Sequence, residues 1–364
     1  MEWRGLRVTA AMLREMVESG APSMVSNVST RFSTLDVAGR TMPVTVDDGA
    51  LGGSYVCSPH SAYVLYARAE LDLLRVGWTA WPSRAALAAL DLVLKAGRIN
   101  RIVHLGNWLL STNLHGDWRG EGVKAAREAL AGAHPDHLLG IRSIDDWSAP
   151  GLREALAADG WIMVPSRQIW VVDDLGRDWT KRSDFANDRR LVERSPLTLS
   201  ELARVEADDA ERIAQLYAML YVGKYSPLNP ILTPAFIRAS ARSGMMSYRV
   251  ARDPRGTIQA AAGMWERGGV MTPPVVGYDT ARPQREGLYR IACWMFMQRA
   301  LQAGWRLHGS AGAAHFKRMR GARGVIEWNA YHAGHLPAAR RRPVEALAML
   351  LKRLVVPVMV AKQW

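Results

Sequence analysis

Three consecutive strand patterns constrain the fold of this chain more than any other feature of its sequence. They are rich in apolar and β-branched residues, are separated by short Gly-containing turns, and cover residues 246–252, 257–266 and 270–279. Turns this short join antiparallel strands. Apolar residues at helical spacing flank the strands, at 208–221, 233–243 and 287–303. We therefore predict a mixed α+β fold in which a mostly antiparallel central sheet is flanked by helices.

The length of 364 residues predicts two structural units, because it is about twice that of a typical domain. Helical and extended patterns also alternate in the first half. A strongly polar run ends at Pro196 and has the composition of an interdomain connection. We predict a first unit at 1–195, a second at 196–335 and a basic amphipathic helix at 336–364.

Cysteine content and hydropathy favour a cytoplasmic protein. Cys57 and Cys293 are the only cysteines, which is too few for a disulfide framework or a four-cysteine zinc site. No metal is predicted. Charged residues interrupt residues 1–20 and again 344–360, so neither segment has the pattern of a signal peptide or a membrane span.

Positive charge is concentrated near the C-terminus. The chain carries 47 Lys and Arg against 34 Asp and Glu, and residues 299–364 hold twelve of the former and two of the latter, a net charge of +10. Cations interleaved with aromatic rings are typical of RNA-binding surfaces. The alternatives are a solvated basic surface or a terminal helix that packs in a dimer or on an acidic membrane. The predicted tRNA-binding residues are Arg318, Arg320, Arg323, Arg340, Arg341, Arg342, Lys352 and Arg353.

The order of elements in the second half, with a loop and a long helix after the third strand, resembles the GNAT acyltransferase fold. The run Gln284, Arg285, Glu286, Gly287, Leu288, Tyr289 stands where that family has its phosphate-binding loop. A helix start can bind a pyrophosphate through its free N–H groups. The resemblance implies donor binding by Gln284, Arg285, Gly287, Leu288, Tyr289 and Arg290. Tyr289 departs from the family pattern, and its ring would crowd coenzyme A.

A second resemblance follows the next strand. His315, Phe316 and Lys317, followed by Arg320 and Gly321, are similar to an element of the Fem-type peptidyltransferases and their BioF-like relatives. Members of that branch often contain two GNAT-like units, which implies tandem units here, the first of them degenerate. They use aminoacyl-tRNA as the donor, which implies tRNA as a partner and no tightly bound cofactor. Acyl-CoA is the alternative co-substrate.

Aminolysis of an ester or thioester needs a neutral amine, a path for its proton and a donor to the developing oxyanion. Asp279 ends the third strand and is the first candidate for the proton path; Glu266 is the second. The resemblance implies that Lys317 holds the developing charge, and His315 is a further candidate. No Gly-x-Ser-x-Gly motif is present, which disfavours a serine hydrolase.

The acceptor is predicted to bind at the connection between the first two helices of the second half. This segment is dense in hydroxyl, amide and ammonium groups that suit a polar amine. The residues are Tyr221, Lys224, Tyr225, Ser226 and Asn229, together with Tyr278 at the end of the third strand. The alternative is two Pro-anchored turns with packed tyrosines.

These observations predict an N-acyltransferase that joins a tRNA-linked acyl or aminoacyl group to a small amine, in natural-product biosynthesis. One alternative is a GNAT enzyme that uses acyl-CoA or a carrier-protein thioester. Another is a non-catalytic RNA-binding protein on the same scaffold. The acyl group, the tRNA isoacceptor, the acceptor and the oligomeric state stay open at this level.

Overall fold

The computed structural model describes residues 2–73 and 81–362. Its helices are α1 (Glu2–Ser19), α2 (Ala21–Met24), α3 (Tyr66–Leu73), α4 (Trp81–Ala96), α5 (Val123–Ala133), α6 (Leu152–Ala158), α7 (Leu175–Asp178), α8 (Ser183–Arg194), α9 (Ala207–Ala218), α10 (Pro234–Arg242), α11 (Leu288–Ala303), α12 (Ala314–Met319), α13 (Ala338–Leu350) and α14 (Val356–Lys362). Its strands are β1 (Arg31–Val37), β2 (Arg40–Asp48), β3 (Arg101–Leu105), β4 (Leu138–Ile144), β5 (Ile162–Val172), β6 (Thr198–Glu201), β7 (Met246–Arg252), β8 (Ile258–Arg267), β9 (Val270–Tyr278), β10 (Arg306–His308) and β11 (Arg323–His332).

All the strands of the described residues form one sheet, in the order β1-β2-β3-β4-β11-β5-β10-β9-β8-β7-β6. Neighbours are antiparallel except for the pairs β3–β4 and β9–β10. The predicted fold class is therefore confirmed. The sheet passes the predicted boundary at residue 196 without a break, because β11 lies between β4 and β5 of the first half.

Helices cover both faces of the second half of the sheet. On one face, Phe236 of α10 and Leu216 of α9 pack with Tyr248 and Val275. On the other face, Ile291 and other apolar residues of α11 pack with strand residues that alternate with these. Gly277 allows α9 to approach β9 closely, because a Cβ there would lie 2.5 Å from the backbone of α9.

Candidate active site

An opening separates β9 from β10 beyond their first residues. The two strands pair only at Val270 and Met271 of β9, while the other edge of β10 pairs with the end of β5. Pro273 and Pro274 follow at once in β9 and have no N–H to donate to a neighbouring strand. The carboxyl-terminal half of β9 therefore lacks a partner on this side, which leaves an opening in the sheet beside Tyr278.

Lys317 lies on the short helix α12 that follows β10, and its side chain lies 3.6 Å from where a Cβ on Gly309, just after β10, would stand. Its Nζ donates hydrogen bonds to the carbonyl oxygens of Ala311, at 2.7 Å, and Ser310, at 3.3 Å. Burial lowers the pKa of Lys317 to about 7, and the positive charge of Arg167 acts in the same direction. Lys317 forms no ion pair with a carboxylate of the described residues. It is therefore a preoriented donor that gains or loses its proton near pH 7.

The loop that holds Lys317 has an unusual backbone. Ser310 and Ala313 have φ angles of 58° and 47°, in the left-handed region that side chains other than glycine rarely occupy. Such conformations cost of order 1–3 kcal/mol each, and they cluster at functional sites. Both strained residues lie within seven positions of Lys317, and the loop supplies the two carbonyl groups that orient its ammonium.

A buried ion pair lies behind the opening and joins the two halves of the chain. Arg167 of β5 donates to both carboxylate oxygens of Glu327 on β11, at 2.8 and 3.1 Å, and also to the carbonyl of Ser111 and the hydroxyl of Thr112. Glu327 is only 2% exposed. The hydroxyl of Thr112 reaches in turn to that of Ser310, at 3.2 Å. The pair thus supports the Lys317 loop.

Sequence reasoning missed Arg167 and Glu327. The available signal was a lone charged residue within each of two apolar strand patterns, because such residues are rarely buried unless they are paired. Their pairing could not be predicted, because β11 enters the sheet between strands that are more than 150 residues earlier in the chain.

The predicted donor loop forms a helix start, but α8 covers it. Gly287 is the N-cap of α11, with φ 67°, and a Cβ there would lie 2.6 Å from Leu191 of α8. Arg290 is ion-paired to the buried Asp188 at 2.7 Å, and Leu288 is buried. Gln284 and Arg285 are exposed on the turn before the helix. The space around Gly287 is therefore already occupied, and Arg290 is held by a carboxylate.

Tyr289 projects from the helix start into an aromatic cluster at the mouth of the opening. Its ring lies 4.9 Å from that of Phe316 and 6.0 Å from that of Tyr278. Tyr278 in turn accepts a hydrogen bond from Lys224, whose Nζ is 3.2 Å from its hydroxyl. Two regions of the sequence prediction, the donor loop and the acceptor segment, thus meet at this mouth.

The acceptor segment divides into a part at the mouth and a part that shapes the turn. Tyr221 and Tyr225 have their rings 6.2 Å apart, and Tyr225 and Lys224 are exposed. Ser226 and Asn229 are buried, and the Asn229 amide donates to the carbonyls of Tyr221 and Ser226. Ser226 and Asn229 therefore serve the turn, which corrects their predicted role, whereas Tyr221, Lys224, Tyr225 and Tyr278 remain acceptor candidates.

The two predicted carboxylate bases have other partners. Asp279 accepts a hydrogen bond from Arg212 at 2.8 Å and another from the backbone N–H of Ala281. Glu266 caps the hairpin turn by accepting from the N–H of Gly269, at the opposite end of β9 from Tyr278. Position thus excludes Glu266 from the candidate site, and Asp279 is a carboxylate neutralised by arginine. His315 is exposed on α12, on a different face from Lys317.

Several of the predicted tRNA-binding cations hold the fold together. Arg320 is 4% exposed and ion-paired to Asp188, so it is not available to RNA, and Arg323 pairs with Asp173. Arg340 donates to three backbone carbonyls, which corrects its role too. Arg341 pairs with Glu345, and Arg318 lies over the ring of Trp170. Arg342, Lys352 and Arg353 are exposed.

Two classes of site can be checked within residues 2–73 and 81–362. No group of three or more His, Cys, Asp or Glu side chains there could hold a metal ion. No helix of those residues combines the length and the hydropathy that crossing a bilayer requires.

Comparisons with known proteins give fold-level similarities. No family model matches the sequence, and no curated protein matches it significantly. Among solved structures, L-PGS from Bacillus licheniformis superimposes with a TM-score of 0.48 at 13% identity, over 68% of this chain and 82% of that one. FemX gives a TM-score of 0.45 at 9% identity over 57% and 75% of the two chains. A GCN5-related N-acetyltransferase from Kribbella flavida gives 0.36 at 18% identity over 65% and 84%.

The assignment of the fold depends on the connections described above. A meander of antiparallel strands and a long helix after its last strand are the features of the GNAT resemblance seen in the sequence, and the structure contains both. The chain has a GNAT-like fold.

Proposed function

We propose that this chain is an acyltransferase or aminoacyltransferase that forms an amide bond at the opening between β9 and β10. The position of Lys317 carries the proposal: a half-buried amine with a pKa lowered to about 7 by burial lies beside that opening, held by a strained loop. Structural lysines are ordinarily exposed or paired with carboxylates. A lysine kept in this state suits a reaction in which negative charge appears and then disappears.

In the proposed reaction, the nitrogen of a neutral amine attacks the carbonyl carbon of an ester. The C–N bond forms and the carbonyl electrons move to oxygen, where the ammonium of Lys317 donates a hydrogen bond to the oxyanion. The C–O bond then breaks, and the leaving hydroxyl takes up the proton that the attacking amine loses. Lys317 thus acts by stabilising charge and is unchanged at the end of the cycle.

We further propose that the donor is linked to tRNA and not to coenzyme A. A pyrophosphate binds at a helix start when the glycine there leaves the first N–H groups accessible. Here Leu191 occupies the space next to Gly287, and Tyr289 fills the mouth beside it. An aminoacyl ester at the end of a tRNA needs no pyrophosphate site. Exposed Lys224 and Arg285 beside the mouth could neutralise its terminal phosphates.

The acceptor is proposed to be a small polar amine, as in the modification of a natural product. Lys224, Tyr225 and Tyr278 present one ammonium and two hydroxyl groups at the mouth, which suits an acceptor that carries oxygen atoms as well as its amine.

Transfer assays with matched variants test this proposal. Total tRNA charged with a mixture of radiolabelled amino acids, and separately labelled acetyl-CoA, would be offered with a panel of small amines to the wild type, to Lys317→Ala and to Lys124→Ala. Lys124 is an exposed lysine on α5 and serves as the control. We expect amide formation from charged tRNA alone and a 100- to 1,000-fold loss of kcat in Lys317→Ala only.

Each part of the proposal has its own contrary result. Activity with acetyl-CoA and none with charged tRNA would show that the donor is a coenzyme A thioester and not an aminoacyl-tRNA. Unchanged kcat in Lys317→Ala would overturn the role of Lys317. Salt-sensitive tRNA binding without transfer to any amine would favour a non-catalytic RNA-binding protein.

A further inference from the structure

A large apolar surface lies on helices away from the opening. Of the twelve large hydrophobic side chains exposed in the described residues, eight belong to α4 or to the C-terminal helical run 338–362. On α4, Leu92 is 70% and Trp81 is 65% exposed. On the C-terminal run, Leu354 is 61% exposed, and Leu350 and Val358, four residues away on each side, form a line with it. Exposed apolar residues in such rows are unusual unless something covers them.

The two helical segments join at a tight contact. A Cβ on Gly97, just after α4, would lie 2.8 Å from Pro343 of α13. Arg340 of α13 donates to the carbonyl of Gly97 at 2.8 Å and to that of Arg98 at 3.2 Å. These hydrogen bonds cap the end of α4 with a residue of α13. We call α4 and the helical run 338–362 together the terminal-helix face.

A cationic cavity of about 300 Å³ lies at the same junction. Lys95, Arg98 and Arg101 line it, and Asp48 is the acidic residue in its wall. Asp48 is already ion-paired to Arg31 and hydrogen-bonded to His137. Lys95 is ion-paired to Asp91 and Arg101 to Asp136, which leaves Arg98 as the lining cation without a carboxylate partner in the described residues. Burial, together with the charges of Arg98 and Arg101, lowers the pKa of the neighbouring Arg340. Cations packed this closely repel one another, and a bound anion would relieve the repulsion.

Two residues that line the cavity also carry a buried polar atom without a hydrogen-bond partner. Buried His60 lines it, binds Asp91 through Nε2 and has no hydrogen-bond partner for Nδ1. The Nε of Arg101 is likewise buried without a partner in the described structure. The guanidinium of Arg101 stays protonated at neutral pH, so its charge attracts an anion in the cavity.

We propose that the terminal-helix face binds the surface of an anionic phospholipid membrane, with a headgroup phosphate in the cavity. The apolar rows enter the interfacial region, and exposed Arg342, Lys352 and Arg353 on the same helical run face the negative headgroups. This proposal goes beyond the transfer reaction and does not depend on it.

The chemistry of the face favours this occupant over two others. RNA would use the cations but would leave the rows of Leu, Val and Trp in water. A second copy of the chain, related by a two-fold axis, would place the same cations against one another. A bilayer of anionic lipids complements both the apolar and the cationic parts.

Vesicle sedimentation of the full chain tests the proposal. Vesicles of phosphatidylcholine alone would be compared with vesicles containing one third phosphatidylglycerol, at two salt concentrations. The apolar variant is Leu354→Glu with Val358→Glu, and the charge variant is Arg98→Glu with Arg353→Glu. The matched controls are Val17→Glu, on exposed apolar α1, and Arg255→Glu, in the exposed turn after β7. Circular dichroism and thermal melting check that each variant folds.

We expect binding to the anionic vesicles only, weaker at high salt. The apolar variant should bind at least tenfold more weakly, the charge variant about 25-fold or more, from about fivefold per cation removed, and the controls within twofold of the wild type. Equal binding to both kinds of vesicle, or wild-type binding by the face variants, would overturn the proposal. It would also be overturned by a dimer that Leu354→Glu dissociates, by tRNA binding that the same variants abolish, or by inorganic phosphate binding without vesicle binding.

Discussion

Replacing Lys317 with methionine should make the protein more stable and less active. A pKa that falls from 10.5 to about 7 through burial means that the fold disfavours the ammonium by roughly 5 kcal/mol when the pH is below 7. Methionine fills a similar volume without charge. The substitution leaves the carbonyls of Ser310 and Ala311 without their donor, which costs about 1 kcal/mol each. The free energy of unfolding should therefore increase by about 3 kcal/mol.

The pH dependence of this gain has a definite sign. The folded-state pKa of Lys317 lies below its unfolded value, so the penalty in the wild type is present in full below pH 7 and disappears as the pH rises towards 10.5. Urea unfolding at pH 6, 8 and 10 should therefore show a stability difference between Lys317→Met and the wild type that shrinks with increasing pH. Lys124→Met on α5 is the control and should show no such trend.

The same lysine links stability to the rate of transfer. The pH profile of kcat/KM should fall with a midpoint near 7 as Lys317 loses its proton, because the profile reports the free enzyme and the ammonium is the form that stabilises the oxyanion. A Lys317→Met variant that is less stable than the wild type at pH 6 would refute this reasoning. A stability difference that does not change with pH would also refute the conclusion that burial disfavours the charged form of Lys317.

Three further substitutions test the surroundings of the site. Gly287→Ala should destabilise the fold by about 1–3 kcal/mol in urea unfolding, because it places a Cβ against Leu191 at a left-handed φ; Gly287→Ala combined with Leu191→Ala should recover part of this, and no recovery would contradict the contact. Glu327→Gln should lower the free energy of unfolding by about 3–5 kcal/mol in urea unfolding, because it leaves the charge of the buried Arg167 without a partner. A loss below 1 kcal/mol would show that the fold does not depend on this ion pair. Asp279→Asn should leave kcat within about threefold, because Arg212 already holds this carboxylate; a loss near 100-fold would restore Asp279 as a base.

Local patterns in the sequence predicted the parts of the fold that local chemistry determines. The strands β7, β8 and β9 and the long helix α11 lie close to their predicted positions, because turn residues and helical spacing act over a few positions. The place of β11 could not be predicted in this way. Its partners β4 and β5 are distant in sequence, and the choice among possible neighbours depends on the packing of the whole sheet.

Individual residues of the candidate site could be selected from the sequence when a local motif contains them. Lys317, Tyr289 and Tyr278 come from segments that the sequence singled out, and the structure brings Tyr278, Tyr289 and the neighbour of Lys317, Phe316, into one cluster. Leu191 packs over Gly287 from α8, a helix in which the sequence shows no motif. The loop that resembles a phosphate site in the sequence is therefore covered by a side chain in the structure. A sequence pattern records which groups are present, and it does not record what packs over them.

The excess positive charge of the C-terminal residues divides into groups with different physical roles. Arg320 and Arg340 are fixed by Asp188 and by backbone carbonyls, so they stabilise the fold and cannot move to meet a ligand. Lys352 and Arg353 are exposed on a helix whose neighbouring surface is apolar, which suits a lipid interface better than a nucleic acid. A tRNA donor would instead need cations beside the opening, and Lys224 and Arg285 meet that need from outside the basic tail. The net charge of +10 is therefore no measure of RNA affinity, because affinity depends on the cations that are free of internal partners and near the reacting ester.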